Sequence, residues 1–129
     1  MIGEQLKEED KSMNIEKFTN KSREVLMLAR NLAENANHTE LRPVHLLAAL
    51  LTESESLVNS IVEKLGVNRE LLGNKVESAL QDLPRVSKSN GEVAMTGEFS
   101  SVLNSAMKKA GEMGDEYVSV EHLFLALCG

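Results

Sequence analysis

The sequence predicts an all-α protein, and three observations carry that expectation. Leu, Ala, Glu, Lys and Met are abundant while aromatic residues make up 3% of the chain, with no Trp and two Pro, a balance that favours helices over sheet packing. Apolar residues recur at the i, i+3, i+4, i+7 spacing of an amphipathic helix in successive windows. Each window is bracketed by residues that start a helix (Thr, Ser, Asn) or stop one (Gly, Pro). The 129 residues suffice for one domain that hides roughly two thirds of its unfolded surface without disulfides.

Taken in order, residues 1–12 are charged and lack an apolar period, so they are expected to form a flexible extension or tag before a natural start at Met13. Thr19 is placed to cap a first helix over 20–36, whose inner face is Val25, Leu28, Ala29, Leu32, Ala33 and Ala36. Pro43 suits the first turn of a second helix, and Leu46, Leu47, Ala49, Leu50 and Leu51 make that helix apolar around most of its circumference, so it belongs inside. Ser54 or Ser56 caps a third helix through Leu57, Ile61, Val62 and Leu65, which Gly66 stops in a left-handed conformation with Val67 packing back. Asn68 caps a fourth helix through Leu71, Leu72, Val76, Ala79 and Leu80, and Pro84 ends it because the residue before a proline is pushed out of the helical region. Residues 85–95, with Ser87, Ser89, Asn90 and Gly91, read as a linker. A fifth helix over 98–113 buries Val102, Leu103, Ala106 and Ala110 before Gly114 and Asp115 break it, and Ser119 caps a sixth through Leu123 and Leu127.

Composition and motifs exclude several functions. A net charge of −6, with stacking residues limited to Phe18, Phe99, Tyr117 and Phe124, argues against a nucleic-acid partner. One cysteine, Cys128, excludes an intramolecular disulfide or a cysteine-based zinc site and suits a reducing, cytoplasmic setting. The opening residues contain no apolar signal core, and no run approaches the ~18 apolar residues of a membrane span, so no membrane partner is expected. Gly66 to Lys75 is not a phosphate loop: its spacing is wrong and no hydroxyl follows the lysine. His38, His45 and His122 lie on different segments, and no His or Cys pair shares a helical face, so neither metal nor cofactor is expected. A nucleophile pair of Cys128 with His122 fails because six residues place them roughly 240° apart around a helix. Met13, Met27, Met95, Met107 and Met113 are scattered and read as core filling and termini rather than as an adaptable surface. The chain is therefore expected to be non-catalytic.

There is an internal repeat. Sliding the chain by 77 residues superimposes Thr19 on Thr96, Val25 on Val102, Leu26 on Leu103, Ala29 on Ala106, Ala33 on Ala110, His45 on His122, Leu46 on Leu123, Ala49 on Ala126 and Leu50 on Leu127. Chance would supply roughly two such identities over this length. The shift pairs Cys128 with Leu51, which predicts a small core residue. It also places His45 and His122 alike at the third position of a helix. A pH switch or a ligand contact is one reading of them; the favoured one is an imidazole tucked at the helix start, satisfying a backbone group.

These residues resemble a known family. MNIEKFTNKSREVLMLA, LRPVHLLAALL, KLGVN, LPRVS and AGEMGDEYVSVEHLFLAL are similar to the Clp amino-terminal (Clp repeat) domain from Met13 to Gly129, and LPRVS tilts the resemblance toward the AAA+ protein disaggregases rather than the unfoldases that serve a protease. The resemblance implies two four-helix repeats about a pseudo-twofold axis. It divides the chain into an extension (1–12), a first repeat (13–84), a linker (85–95) and a second repeat truncated to two helices (96–129). A complete second repeat would close near residue 160, about 31 residues beyond Gly129. Two missing helices would leave four to six apolar side chains uncovered, on the order of 10 kcal/mol. Marginal stability or self-association through Leu123, Phe124 and Leu127 is therefore expected.

The same resemblance implies a module that captures unfolded or aggregated polypeptide and passes it to the rest of an AAA+ hexamer. A shallow apolar groove between repeats suits weak, promiscuous capture. Two other readings stay open: docking of an adaptor protein in a protease unfoldase, and a stand-alone dimerising protein. The substrate-binding patch implied by the family falls here on Thr19, Asp115 and Glu121, with Tyr117 and Val118 as apolar neighbours. Each polar member also has a plain structural role: Thr19 as a cap, Asp115 as a turn residue, Glu121 as a carboxylate near a helix N-terminus.

Overall fold

The structure, a computed structural model, describes residues 15–87 and 93–128. The extension expected over 1–12 lies outside the described residues. A single 3-10 turn, Ile15–Lys17, leads into α1 (Asn20–Asn35), β1 (Glu40–Leu41), α2 (Pro43–Glu53), α3 (Glu55–Leu65), α4 (Arg69–Asp82), β2 (Ala94–Met95), α5 (Gly97–Glu112) and α6 (Val120–Cys128). The protein is all-α, as its periodicity predicts, and the only regular extended pairing among the described residues is the two-residue parallel contact of β1 with β2.

The helices begin where their capping residues stand. Thr19 Oγ1 accepts from the Ser22 N–H at 3.1 Å, Asn68 Oδ1 from Leu71 at 3.0 Å and Thr96 Oγ1 from Phe99 at 3.2 Å, each satisfying a donor that a helix start leaves orphaned. Gly66 ends α3 at φ 74°, where a β-carbon would be strained. Ser54 differs from its expected role: it stands between α2 and α3, but its hydroxyl makes no cap bond and is buried without a partner.

The second difference lies in 85–95. Val93 is buried, its carbonyl accepts from the buried Arg30 side chain at 3.4 Å, and β2 follows at once, so this end of the segment is anchored to α1 and β1.

A pseudo-twofold relation organises the centre. Leu41 pairs with Met95, and Phe18 pairs with Val118; the 77-residue shift carries Phe18 onto Met95 and Leu41 onto Val118, so the two pairings are one contact made twice. The Thr19 N–H donates to the Val118 carbonyl at 3.0 Å, and the Thr96 N–H to the Leu41 carbonyl at 3.2 Å. The turns after α1 and α5 match as well. Asn37 (φ 61°) and Gly114 (φ 74°) are both left-handed, and the next residues, His38 and Asp115, donate their N–H groups back to Ala33 at 2.9 Å and to Ala110 at 2.8 Å.

Two expectations about α6 are corrected. Leu123 and Phe124 are 0% and 2% exposed because α6 packs against α5 and α2, so neither forms a bare self-association face; Leu127 is half-buried. Cys128 is exposed rather than part of the core. Its counterpart Leu51 is buried beside α3 and α4, and among the described residues no equivalent pair follows α6.

Candidate functional site

The residues expected to bind polypeptide gather around the Phe18–Val118 contact. Thr19 is half-buried at the start of α1, and its hydroxyl donates to Ser22 Oγ at 3.0 Å. Ser22, fully buried, donates in turn to the Val118 carbonyl at 2.8 Å. Val118 is brought to Thr19 through its backbone only: its side chain is 3% exposed and adds nothing to the surface. Tyr117, just before it, is 52% exposed and supplies the apolar face that Val118 does not. Glu121 is half-buried in the first turn of α6, where the helix dipole favours a carboxylate.

Asp115 has a partner that sequence reasoning missed. The Ser119 N–H donates to His122 Nδ1 at 2.9 Å, which leaves the ring proton on Nε2, and that proton is donated to Asp115 Oδ2 at 2.8 Å. The buried His122 therefore caps the start of α6 through one nitrogen and fixes the loop carrying Asp115 and Tyr117 through the other. The first repeat repeats this arrangement with one change. The Arg42 N–H donates to His45 Nδ1 at 2.9 Å, and His45 Nε2 lies 2.9 Å from Nδ1 of His38, which replaces the aspartate. Burial, reinforced by the His38 ring and Arg42 and opposed by the Arg42 backbone contact, pushes the His45 pKa down to about 4. Both histidines thus satisfy a backbone group at a helix start, as their position predicts.

An apolar groove lies where α3 and the start of α4 face α6. Leu47, Val62, Leu65, Val67, Leu72, Phe124, Leu127 and Cys128 line a cavity of about 200 Å³. Leu65 and Val67 remain 59% and 45% exposed on its rim. Periodicity could not reveal this groove, since an apolar helix position reads alike whether a neighbour covers it or not. Partial desolvation at the groove pushes the thiol pKa of the otherwise exposed Cys128 up, against the opposing charge of Lys109. No group of metal-ligating side chains is present among the described residues, and none of the described helices is long and apolar enough to cross a membrane.

Helices arranged in two repeats about a twofold, with matching turns after α1 and α5, define a helical-repeat domain. The chain belongs to the Clp repeat (R) N-terminal domain family, whose model matches residues 17–129. It is 37% identical over 115 residues to the chaperone protein ClpB of Bacteroides thetaiotaomicron, a match covering 89% of this chain and 13% of the relative. The tilt toward ClpB carried by Leu83-Pro84-Arg85-Val86-Ser87 agrees with this relative. Among solved structures, the Hsp104 N-terminal domain from Candida albicans superimposes with a TM-score of 0.77 at 24% identity, covering 86% of this chain and 73% of that one. The N-terminal domain of the ClpV1 ATPase from E. coli gives 0.79 at 20% identity, covering 94% and 73%. These two likenesses show the fold.

Proposed function

We propose that the chain is the polypeptide-binding amino-terminal module of a ClpB-type AAA+ chaperone, without catalysis of its own, and that it holds exposed apolar segments of unfolded or aggregated proteins for threading by the ATPase rings. The observation that supports this most is the groove beside α6, open to solvent and rimmed by Leu65 and Val67. A cavity of about 200 Å³ takes one or two apolar side chains, each worth ~1.5–3 kcal/mol. Most of that gain is offset by the cost of association, so affinities of tens of micromolar or weaker are expected. The patch of exposed Asp115 and Tyr117 with half-buried Thr19 and Glu121 is proposed to contact the polypeptide backbone and polar side chains flanking the anchored segment.

The test is binding to a permanently unfolded protein, such as reduced carboxymethylated α-lactalbumin. Leu65→Asp with Val67→Asp weakens binding at least about tenfold while helicity and melting temperature hold, because both residues are exposed. Unchanged binding refutes the groove. A tight one-to-one complex with one folded protein, lost on joint substitution of Thr19, Asp115 and Glu121, replaces this reading with adaptor docking.

A further inference from the structure

The two repeats close the same turn with different chemistry. In both, a backbone N–H feeds a buried histidine, Arg42 to His45 and Ser119 to His122, and that histidine passes its other ring proton across the turn. In the second repeat the final acceptor is Asp115, a carboxylate with spare lone pairs whose side chain is 48% exposed. A positive charge on His122 would lie 2.8 Å from this counter-ion, so the contact across the turn survives it. In the first repeat the final acceptor is His38 Nδ1, whose single lone pair is already used, on a ring 3% exposed.

Counting protons on the four ring nitrogens gives the consequence. With the Arg42 N–H on His45 Nδ1, His45 carries its proton on Nε2 and His38 carries its own on Nε2, with the Leu80 carbonyl nearby. A proton added to His38 Nδ1 faces the His45 Nε2–H across 2.9 Å. If His45 yields by moving its proton to Nδ1, that proton faces the Arg42 N–H instead. Every placement creates one donor–donor contact.

The groups around the pair give the added charge no counter-ion. Arg85 lies beyond α4 and acts on His38; Arg42 precedes α2 and acts on His45; Glu40, on the rim of the small cavity beside His38, is already ion-paired with Arg42. Burial first, then Arg85, lowers the His38 pKa, with the Leu80 carbonyl opposing.

What the pair holds shut is the return of the chain from α4. The His38 backbone bridges Arg85, and the Val86 N–H donates to the Asn37 carbonyl at 2.9 Å. We propose that His38 and His45 form an acid-sensitive latch: uptake of one proton breaks the relay and frees residues 83–87 from the Asn37–His38 turn, while the Asp115–His122 turn of the second repeat stays closed.

Amide exchange measured by NMR at pH 7.5 and 5.0, corrected for intrinsic rates, tests this on the chain itself. The expected result is a loss of protection of about tenfold or more at Arg42 and Val86, with Asp115 unchanged. His38→Asn retains a carbonyl acceptor for His45 without a titrating ring, and abolishes the loss. Ring nitrogen shifts give a readout independent of any variant: His38 and His45 are both Nε2–H tautomers at pH 7.5. Equal protection at the two pH values, an equal loss at Asp115, or an undiminished loss in His38→Asn overturns the latch.

Discussion

Thr19 and Thr96 occupy equivalent caps, and removing either hydroxyl should cost about the same although their second partners differ. Thr96 Oγ1 accepts from Phe99 at 3.2 Å and donates to the Leu41 carbonyl at 2.9 Å, so it ties α5 to β1 as well as capping the helix. Thr96→Ala loses a cap, about 1 kcal/mol, and a neutral hydrogen bond, about 1 kcal/mol, for a total of about 2 kcal/mol. Thr19 Oγ1 accepts from Ser22 in the same way and donates to Ser22 Oγ at 3.0 Å, and Ser22 Oγ in turn binds the Val118 carbonyl. Thr19→Ala therefore also loses a cap and a neutral hydrogen bond, about 2 kcal/mol. For a domain of this size 1 kcal/mol moves the melting temperature by about 4 °C, so thermal unfolding followed by circular dichroism should show a drop of about 8 °C for each variant. Thr96→Ser, which keeps both bonds, should stay within about 2 °C of the parent. A Thr19→Ala drop of about 4 °C or less would refute the reasoning, because it would mean that Ser22 holds the Val118 carbonyl without Thr19. If Thr19→Ala loses polypeptide binding and the equally destabilised Thr96→Ala keeps it, the loss is a contact effect rather than a folding one.

Leu123→Ala, at a site with no exposure, should cost about 2–5 kcal/mol in urea unfolding, and Leu65→Ala, at 59% exposure, less than about 0.5 kcal/mol; the reverse ranking would restore Leu123 to an open face. Gly66→Ala should destabilise by about 1 kcal/mol because φ is 74°. Gly111→Ala should stabilise by a few tenths of a kcal/mol up to about 1, since it lies in the last turn of α5 with open space at the added β-carbon. Melting curves check both signs.

The helices were legible because their signals are local. Thr19, Pro43, Gly66, Asn68 and Thr96 act within a turn of where they stand, and the apolar period names the inner face. The β1–β2 and Phe18–Val118 contacts were not legible, since two-residue pairings have no period and join segments far apart in sequence. The candidate patch was half legible. Thr19 and Tyr117 sit as expected, but Val118 is buried by the strand-like contact that no local rule predicts. The partner of Asp115 was hidden for a different reason. Matching identities at a shift of 77 draws the eye to His45 and His122, whereas His38 and Asp115 differ in type and agree only in role. Equivalent positions that differ were the informative ones.

The groove proposed to bind polypeptide shows the same contrast between equivalent positions. Leu50 and Leu127 are identical at equivalent positions, yet Leu50 is 0% exposed and Leu127 is half-buried; Leu51 is 9% exposed while Cys128 is open. Side-chain chemistry does not separate the leucines; their surroundings among the described residues do, since Leu127 lines the groove that α3 and α4 face. The lining of the groove carries no charge and no fixed polar group to demand a particular sequence. A surface made that way selects for apolarity and size alone. Leu127→Ala should accordingly weaken capture of every unfolded protein by a similar factor, whereas a groove shaped for one ligand would lose one client and keep the others.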